Sequence, residues 1–231
     1  MPLPTHTQPR PHTPDTLPSA ILLAATGGML DAIVFLTHGH VFANAMTGNV
    51  VLLGIASLNR DWPQAIRHLV PITAFLLGIL AAKACRELPP RHAIVLGLLF
   101  EIATLALAGA LPNTFPPLAF IALVAFPAAF QVANFRKLHR FAYNTTFVTG
   151  NLRDMAEGCF DSFFATDAAQ RQQGRAKAIK MGLICLCFLL GAAAGGFVAP
   201  RFPAHAVWFA EPMLLAVLLL TVLRPHAFTH G

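Results

Sequence analysis

Three carboxylates stand inside long apolar stretches of the chain: Asp31, Glu101 and Glu211. Insertion scales put an acidic residue at a bilayer centre at a cost of about 2.5–3.5 kcal/mol, so each needs protonation, hydrogen-bond partners, water or a bound cation. No Lys or Arg lies deep in the same stretches. That argues against internal salt bridges and leaves Asn49, Asn151 and Gln131 as candidate polar partners. Both asparagines close a Thr-Gly-Asn triplet, Thr47-Gly48-Asn49 and Thr149-Gly150-Asn151. Glycine permits a turn that other residues resist, and Thr and Asn can cap a helix start. A half-helix N-terminus inside a membrane also carries partial positive charge and can hold an anionic group. The triplets are therefore read both as caps and, with Gln131 and the three acids, as a substrate or ion pathway.

These groups must be positioned by membrane helices. The 231 residues are 56% apolar and 11% charged, with mean hydropathy +0.62, far from the balance of a soluble domain. Six stretches are long enough to cross a bilayer at 1.5 Å per residue: 18–36, 69–85, 93–111, 117–135, 179–199 and 206–223. Residues 74–82 are apolar on every side, whereas a barrel strand would alternate. The expected fold is thus an all-α polytopic bundle of about six transmembrane helices. The Pro-rich residues 1–17 lack the layout of a secretory signal and are read as a disordered cytoplasmic tail, with residues 224–231 as a second short one. Four scattered cysteines show no ligand spacing and read as packing residues, so no metal or cofactor is expected. The net charge of +6 is explained by cytoplasmic loops, without a nucleic-acid partner.

Topology turns on 41–58 and 143–160, the segments that carry the triplets. If neither crosses, thirteen of the sixteen Lys and Arg residues share the side of both termini, against Arg60, Arg67 and Arg201. That is a strong positive-inside bias, which places both termini on the cytoplasmic side of the membrane. If both cross, the split is nine against seven. If only 41–58 crosses, it is twelve against four, so charge alone does not decide between six and seven spans. Internal order does. Thr-Gly-Asn is followed in each half by Phe-Leu-Leu-Gly, at 75–78 and 188–191, and then by Glu101 or Glu211. Three spans per repeat, at 18–111 and 112–223, make the second copy enter the membrane in the opposite sense, so each triplet sits in a broken or re-entrant segment.

Other features have simpler readings. Ala24, Gly27 and Gly28 share a face with Asp31 and allow a close neighbour, and Gly191 with Gly195 and Ala192 with Gly196 give a smooth face for contact within the fold or in a homo-oligomer. Pro212 denies a helix bond to the carbonyl of Trp208 beside Glu211. His38 and His40 read as outer loop residues, and Arg136, Lys137 and Arg140 as a topology anchor.

The stretch Gly27-Gly28-Met29-Leu30-Asp31-Ala32-Ile33-Val34-Phe35-Leu36, followed by Gly39, Val41-Phe42 and Met46-Thr47-Gly48-Asn49, resembles the signature of the YoaK-like bacterial membrane family. A second hallmark of that family is similar to Gln131-Val132-Ala133, Arg136 and Thr145-Thr146-Phe147-Val148-Thr149-Gly150, with Val132 where the family often has Asn. The resemblance covers residues 20–223. It implies an inner-membrane protein of about six spans with transporter relationships and no assigned substrate.

The functional expectation is a small-solute transporter or channel with proton or cation coupling, in contact with lipid and an unidentified solute or ion. The alternative is a non-transporting sensor or partner-binding module whose buried acids are structural. No metal motif, nucleophile elbow or phosphate loop supports an enzyme.

Overall fold

The computed structural model of the chain describes residues 16–85, 88–112, 114–135, 137–138 and 141–223. The expected terminal tails, apart from Thr16 and Leu17, and Arg136 and Arg140 of the basic cluster lie outside the described residues. Helix α1 (Leu17–Thr37) starts where the Thr16 hydroxyl accepts the Ser19 N–H at 3.2 Å, with Pro18 in the first turn. Helix α2 (Met46–Leu58) is short. Helix α3 (Trp62–Ala84) is capped by Asp61, whose carboxylate accepts the Gln64 N–H at 3.2 Å. Helices α4 (Pro90–Ala110) and α5 (Pro117–Asn134) follow, then a small hairpin of β1 (Lys137–Leu138) and β2 (Phe141–Ala142). The second half continues with α6 (Val148–Phe164) and α7 (Ala168–Val198), the latter capped by Asp167. A 3-10 turn (Ala206–Ala210) leads into α8 (Glu211–Val222).

This is an all-α polytopic membrane bundle. Helices α1, α3, α4, α5 and α7 are each long and apolar enough to cross a bilayer. The sixth expected span is built in two pieces, because Pro212 withholds a backbone donor and the helical pitch changes at Glu211. Exposed leucines such as Leu76, Leu77, Leu189 and Leu190 cover the outside, while Leu23, Leu30, Ile33, Leu105, Ile121, Met181 and Leu214 fill the interior. Both sets are apolar because lipid and protein core make the same demand.

Packing pairs the halves. Helix α1 lies on α7 and α3 on α5; α2 packs on α3 and α6 on α7; α4 meets α5, α8 meets α1, and α4 meets α8. The α1–α7 contact is backbone on backbone, since a Cβ on Gly28, Gly191 or Gly195 would overlap the carbonyl of Phe188, Ala25 or Met29 respectively. Without a hydrophobic drive inside lipid, such close approach supplies the attraction through van der Waals contact. Ala25 meets Gly191 and Met29 meets Gly195, so the two helices run parallel. Gly78 makes the equivalent contact of α3 with Phe126 and Ala129 of α5. The last Gly of each Phe-Leu-Leu-Gly is thus a helix-contact residue. Among the described residues a Cβ on Gly196 would meet nothing within 4 Å, whereas Gly191 and Gly195 of the smooth face of α7 are used inside the fold.

Helices α4 and α8 run antiparallel. Arg91 donates to the Val222 carbonyl at 2.6 Å near one end, and the Ala106 and Gly109 carbonyls accept from or bond Trp208 Nε1 (3.1 Å) and His205 Nδ1 (2.8 Å) at the other. At the far end of α1, Gln64 of α3 donates to the Gly39 carbonyl at 2.9 Å, so the chain leaves α1 and starts α3 side by side. Gly39 takes φ +84 there, a conformation open to glycine.

Candidate functional site

The two triplets adopt one local design. Thr47-Gly48-Asn49 and Thr149-Gly150-Asn151 each fill the second to fourth positions of a helix, α2 and α6. The expectation that Thr or Asn caps these helices is corrected here: the N-cap positions are Ala45 and Phe147, and neither makes a side-chain cap bond. Instead each Asn reaches back seven residues and clamps the incoming chain. The Phe42 N–H donates to Asn49 Oδ1 at 3.0 Å, and Asn49 Nδ2 donates to the Phe42 carbonyl at 2.8 Å. The Asn144 N–H donates to Asn151 Oδ1 at 3.1 Å, and Asn151 Nδ2 donates to the Asn144 carbonyl at 2.7 Å. A primary amide offers a donor and an acceptor side by side, matching the two backbone groups of one extended residue. Asn49 is 0% exposed and Asn151 2%, so these bonds replace water that neither segment can reach. Thr47 and Thr149 are exposed, and Gly48 lies against the Phe42 ring.

Both clamped segments arrive at the middle of α1. Asp31 Oδ1 accepts the Asn44 N–H at 2.6 Å and the Ala45 N–H at 3.4 Å, and Asn44 Nδ2 donates to the Gly27 carbonyl at 3.2 Å. From the second half, the Thr145 carbonyl and the Thr146 methyl lie over the same Gly27, where a Cβ would come to 3.0 and 3.6 Å from them. Asp31 is 5% exposed, and its Oδ2 has no hydrogen-bond partner among the described residues; neither do the buried hydroxyls of Thr145 and Thr146. Gly27 and Asp31 are one helical turn apart on one face. The result is a buried junction of two half-helix approaches and one carboxylate.

The remaining acids are held elsewhere. Glu101 on α4 is fully enclosed, and its Oε1 and that of Glu211 lack partners among the described residues. The antiparallel register of α4 and α8 brings the two to one level along that pair. Thr104 turns its hydroxyl back to the Phe100 and Glu101 carbonyls rather than to the Glu101 carboxyl. Gln131 of α5 donates to the Leu23 carbonyl of α1 at 3.3 Å. The polar partners expected for the acids are therefore otherwise engaged: apart from a 3.8 Å contact of Asn49 Nδ2 with Met46 Sδ, the described bonds of Asn49, Asn151 and the Gln131 amide nitrogen go to backbone carbonyls and N–H groups. Glu101 and Glu211 are not brought to the Asp31 junction by any described contact.

Outside the spans, His38 ends α1 stacked on Phe120, with ring centroids 3.8 Å apart and Nδ1 bonded to Thr37 at 2.7 Å. Burial pushes its pKa down to about 4. The polar character of α6 is accounted for by a charge cluster in which Lys177 of α7 meets Glu157 at 2.9 Å and Asp154 at 3.4 Å, with Arg153 on Asp154. Sequence reasoning missed Asn44, Thr145 and Thr146 as site residues. The signal for Thr145 and Thr146 was the polar run Asn144-Thr145-Thr146 just before α6, whereas Asn44 stands alone between Ala43 and Ala45 with no pattern to mark it.

No solved structure matches the chain. The UPF0700 transmembrane protein YoaK of Bacillus subtilis (strain 168) is 26% identical over 211 residues, covering 88% of this chain and 92% of that protein. A family model described as protein of unknown function (DUF1275) matches residues 19–220, which include every helix described above to within a few residues at each end. With the duplicated clamp and the Asp31 junction both inside that match, the chain belongs to the DUF1275 family of membrane proteins of unknown function.

Proposed function

We propose that the protein is a small-solute transporter or channel of the inner membrane, built from two inverted three-span repeats whose re-entrant segments meet at Asp31, with proton or cation coupling. Exchanging α1–α4 for α5–α8 leaves the set of packed helix pairs unchanged, as an internal two-fold requires. The helix directions support six spans. If α2 and α6 both crossed, α4 and α8 would run the same way; if α2 alone crossed, α1 and α7 would oppose each other. The contacts have α1 parallel to α7 and α4 antiparallel to α8. The Gln64 bond to Gly39 adds that α2 begins and ends on one side. With cytoplasmic termini, native Cys159 on α6 resists a membrane-impermeant maleimide applied outside intact cells, and a cysteine in place of Asn59 reacts.

The observation that carries the transport reading is the meeting of both clamped approaches at the midpoint of α1. Non-helical backbone at that depth is tolerated where it is sheltered by protein or lines a cavity. Uptake into proteoliposomes, screened over solutes with and without a pH gradient, tests it. Transport by wild type that is lost in Asp31→Asn supports the reading, and wild type equal to empty vesicles throughout counts against it. A second reading, a non-transporting module with structural acids, draws on the two N–H bonds to Asp31 Oδ1. It requires that Asp31→Asn lose its fold as well as any cellular phenotype.

A further inference from the structure

We infer that Asp31, Thr145 and Thr146 form a binding site for a monovalent hard cation of the sodium class, set between the two clamped segments. This deepens the transporter reading and uses it for the ion's purpose, while the site itself stands on geometry. Three oxygens at this junction, Asp31 Oδ2 and the hydroxyls of Thr145 and Thr146, are at least nine-tenths buried and without hydrogen-bond partners among the described residues. Buried polar groups are ordinarily satisfied, and here three are not, on two segments that meet along one face of α1. The segments meet at Gly27, one turn from Asp31: Asn44 Nδ2 donates to its carbonyl from one half, and the Thr145 carbonyl and Thr146 methyl lie over it from the other.

The donor chemistry selects the ion. All three atoms are oxygen, the set that suits hard cations, and among the described residues no cluster of Cys, His and acid side chains that could hold a softer metal is present. A single carboxylate supplies one negative charge. Counting back 101–102 residues between the halves, the second-half counterpart of Asp31 is Val132 or Ala133, so duplication adds no second acid. A divalent ion would be left with uncompensated charge in a buried site, whereas Ca2+ sites take six to eight oxygens and usually several carboxylates. The Asn44 and Ala45 N–H groups already hold Oδ1 and so fix the carboxylate with Oδ2 unengaged. A bound monovalent cation also answers the insertion cost of Asp31 without a Lys or Arg.

The test measures binding, not transport. The full chain in detergent micelles is titrated with radiolabelled sodium in choline chloride at mildly alkaline pH. Saturable binding is expected, displaced by unlabelled sodium and not by choline or calcium. Asp31→Asn abolishes it; Thr146→Val weakens it about tenfold, the order expected for one lost bond to a charged group, and Thr146→Ser restores it. Should Asp31→Asn fail to fold, the Thr145→Val, Thr146→Val double variant decides, because those hydroxyls hold no bond the fold depends on. Absence of saturable binding in wild type, wild-type binding by a folded Asp31→Asn or by the double variant, or displacement by calcium at lower concentration than sodium each overturns the site. Sodium binding without uptake of any solute keeps the site and removes the transport reading; sodium-independent uptake without binding does the reverse.

Discussion

Replacing Asn49 by alanine removes both hydrogen bonds to Phe42 and leaves that residue's N–H and carbonyl without a partner in a place where Asn49 itself is 0% exposed. A buried polar group stripped of its partner costs about 1–3 kcal/mol, which for two groups gives about 2–6 kcal/mol. Side-chain hydrogen bonds within membranes average only about 0.6 kcal/mol each in double-mutant cycles, so about 1 kcal/mol is the floor. Asn151→Ala breaks the matching pair to Asn144 and is expected to lose a similar amount, although α6 is far more polar than α2. That equality is the sharper prediction, because it follows from the shared clamp and not from the surroundings. Reversible unfolding in mixed micelles, titrated with denaturing detergent, measures both. If either variant lies within about 0.5 kcal/mol of wild type, or if the two differ by more than about 3 kcal/mol, the clamp does not hold the approaches.

Gly191→Val is expected to disrupt the bundle, since its Cβ overlaps the Ala25 carbonyl, while Gly196→Ala, with open space around it, melts at or slightly above wild type by the helix preference of Ala over Gly. His38 has its folded pKa lowered to about 4 from 6.5, so its contribution is full above pH 6.5 and lost as pH falls toward 4, by up to about 3 kcal/mol; in His38→Phe, which keeps the stack on Phe120, a pH series of melting temperatures is flat over that window by comparison. Glu101→Gln keeps the volume of a buried group with an unpartnered oxygen and is expected to unfold at the same denaturant midpoint as wild type or a higher one; a lower midpoint refutes the claim that no described bond depends on its charge.

The spans were legible because lipid imposes one demand over many consecutive residues, and a run such as residues 74–82 has few ways to satisfy it. Ends were less so. Helix α7 starts at Ala168, not near Ile179, because its polar first turns pack on α6 through Gly158, Gly174 and Lys177 where hydropathy carries no signal. The duplicated triplets were visible as words, but their role was not. Capping is what Thr and Asn do at a helix start, whereas the clamp depends on a bond to a residue seven places back in a segment without periodicity. Ala45 and Phe147, the true N-caps, are residues that sequence preference ranks low there. The meeting of Asn44 with Thr145 and Thr146 at Gly27 joins residues a hundred positions apart, and no local pattern encodes it.

The backbone contact of Gly28 with Phe188 and Ala192 has a bearing on biogenesis. Helix α1 is made before α3, α4 and α5, yet the helix it fits, α7, is made only after them. At about 5–20 residues per second, that interval lasts on the order of ten seconds or more. Over that time the α1 groove and Asp31 stand in the membrane without α7. The first half therefore has no finished fold of its own to adopt, and a truncation before α7 leaves a substrate for quality-control proteases, not a working half.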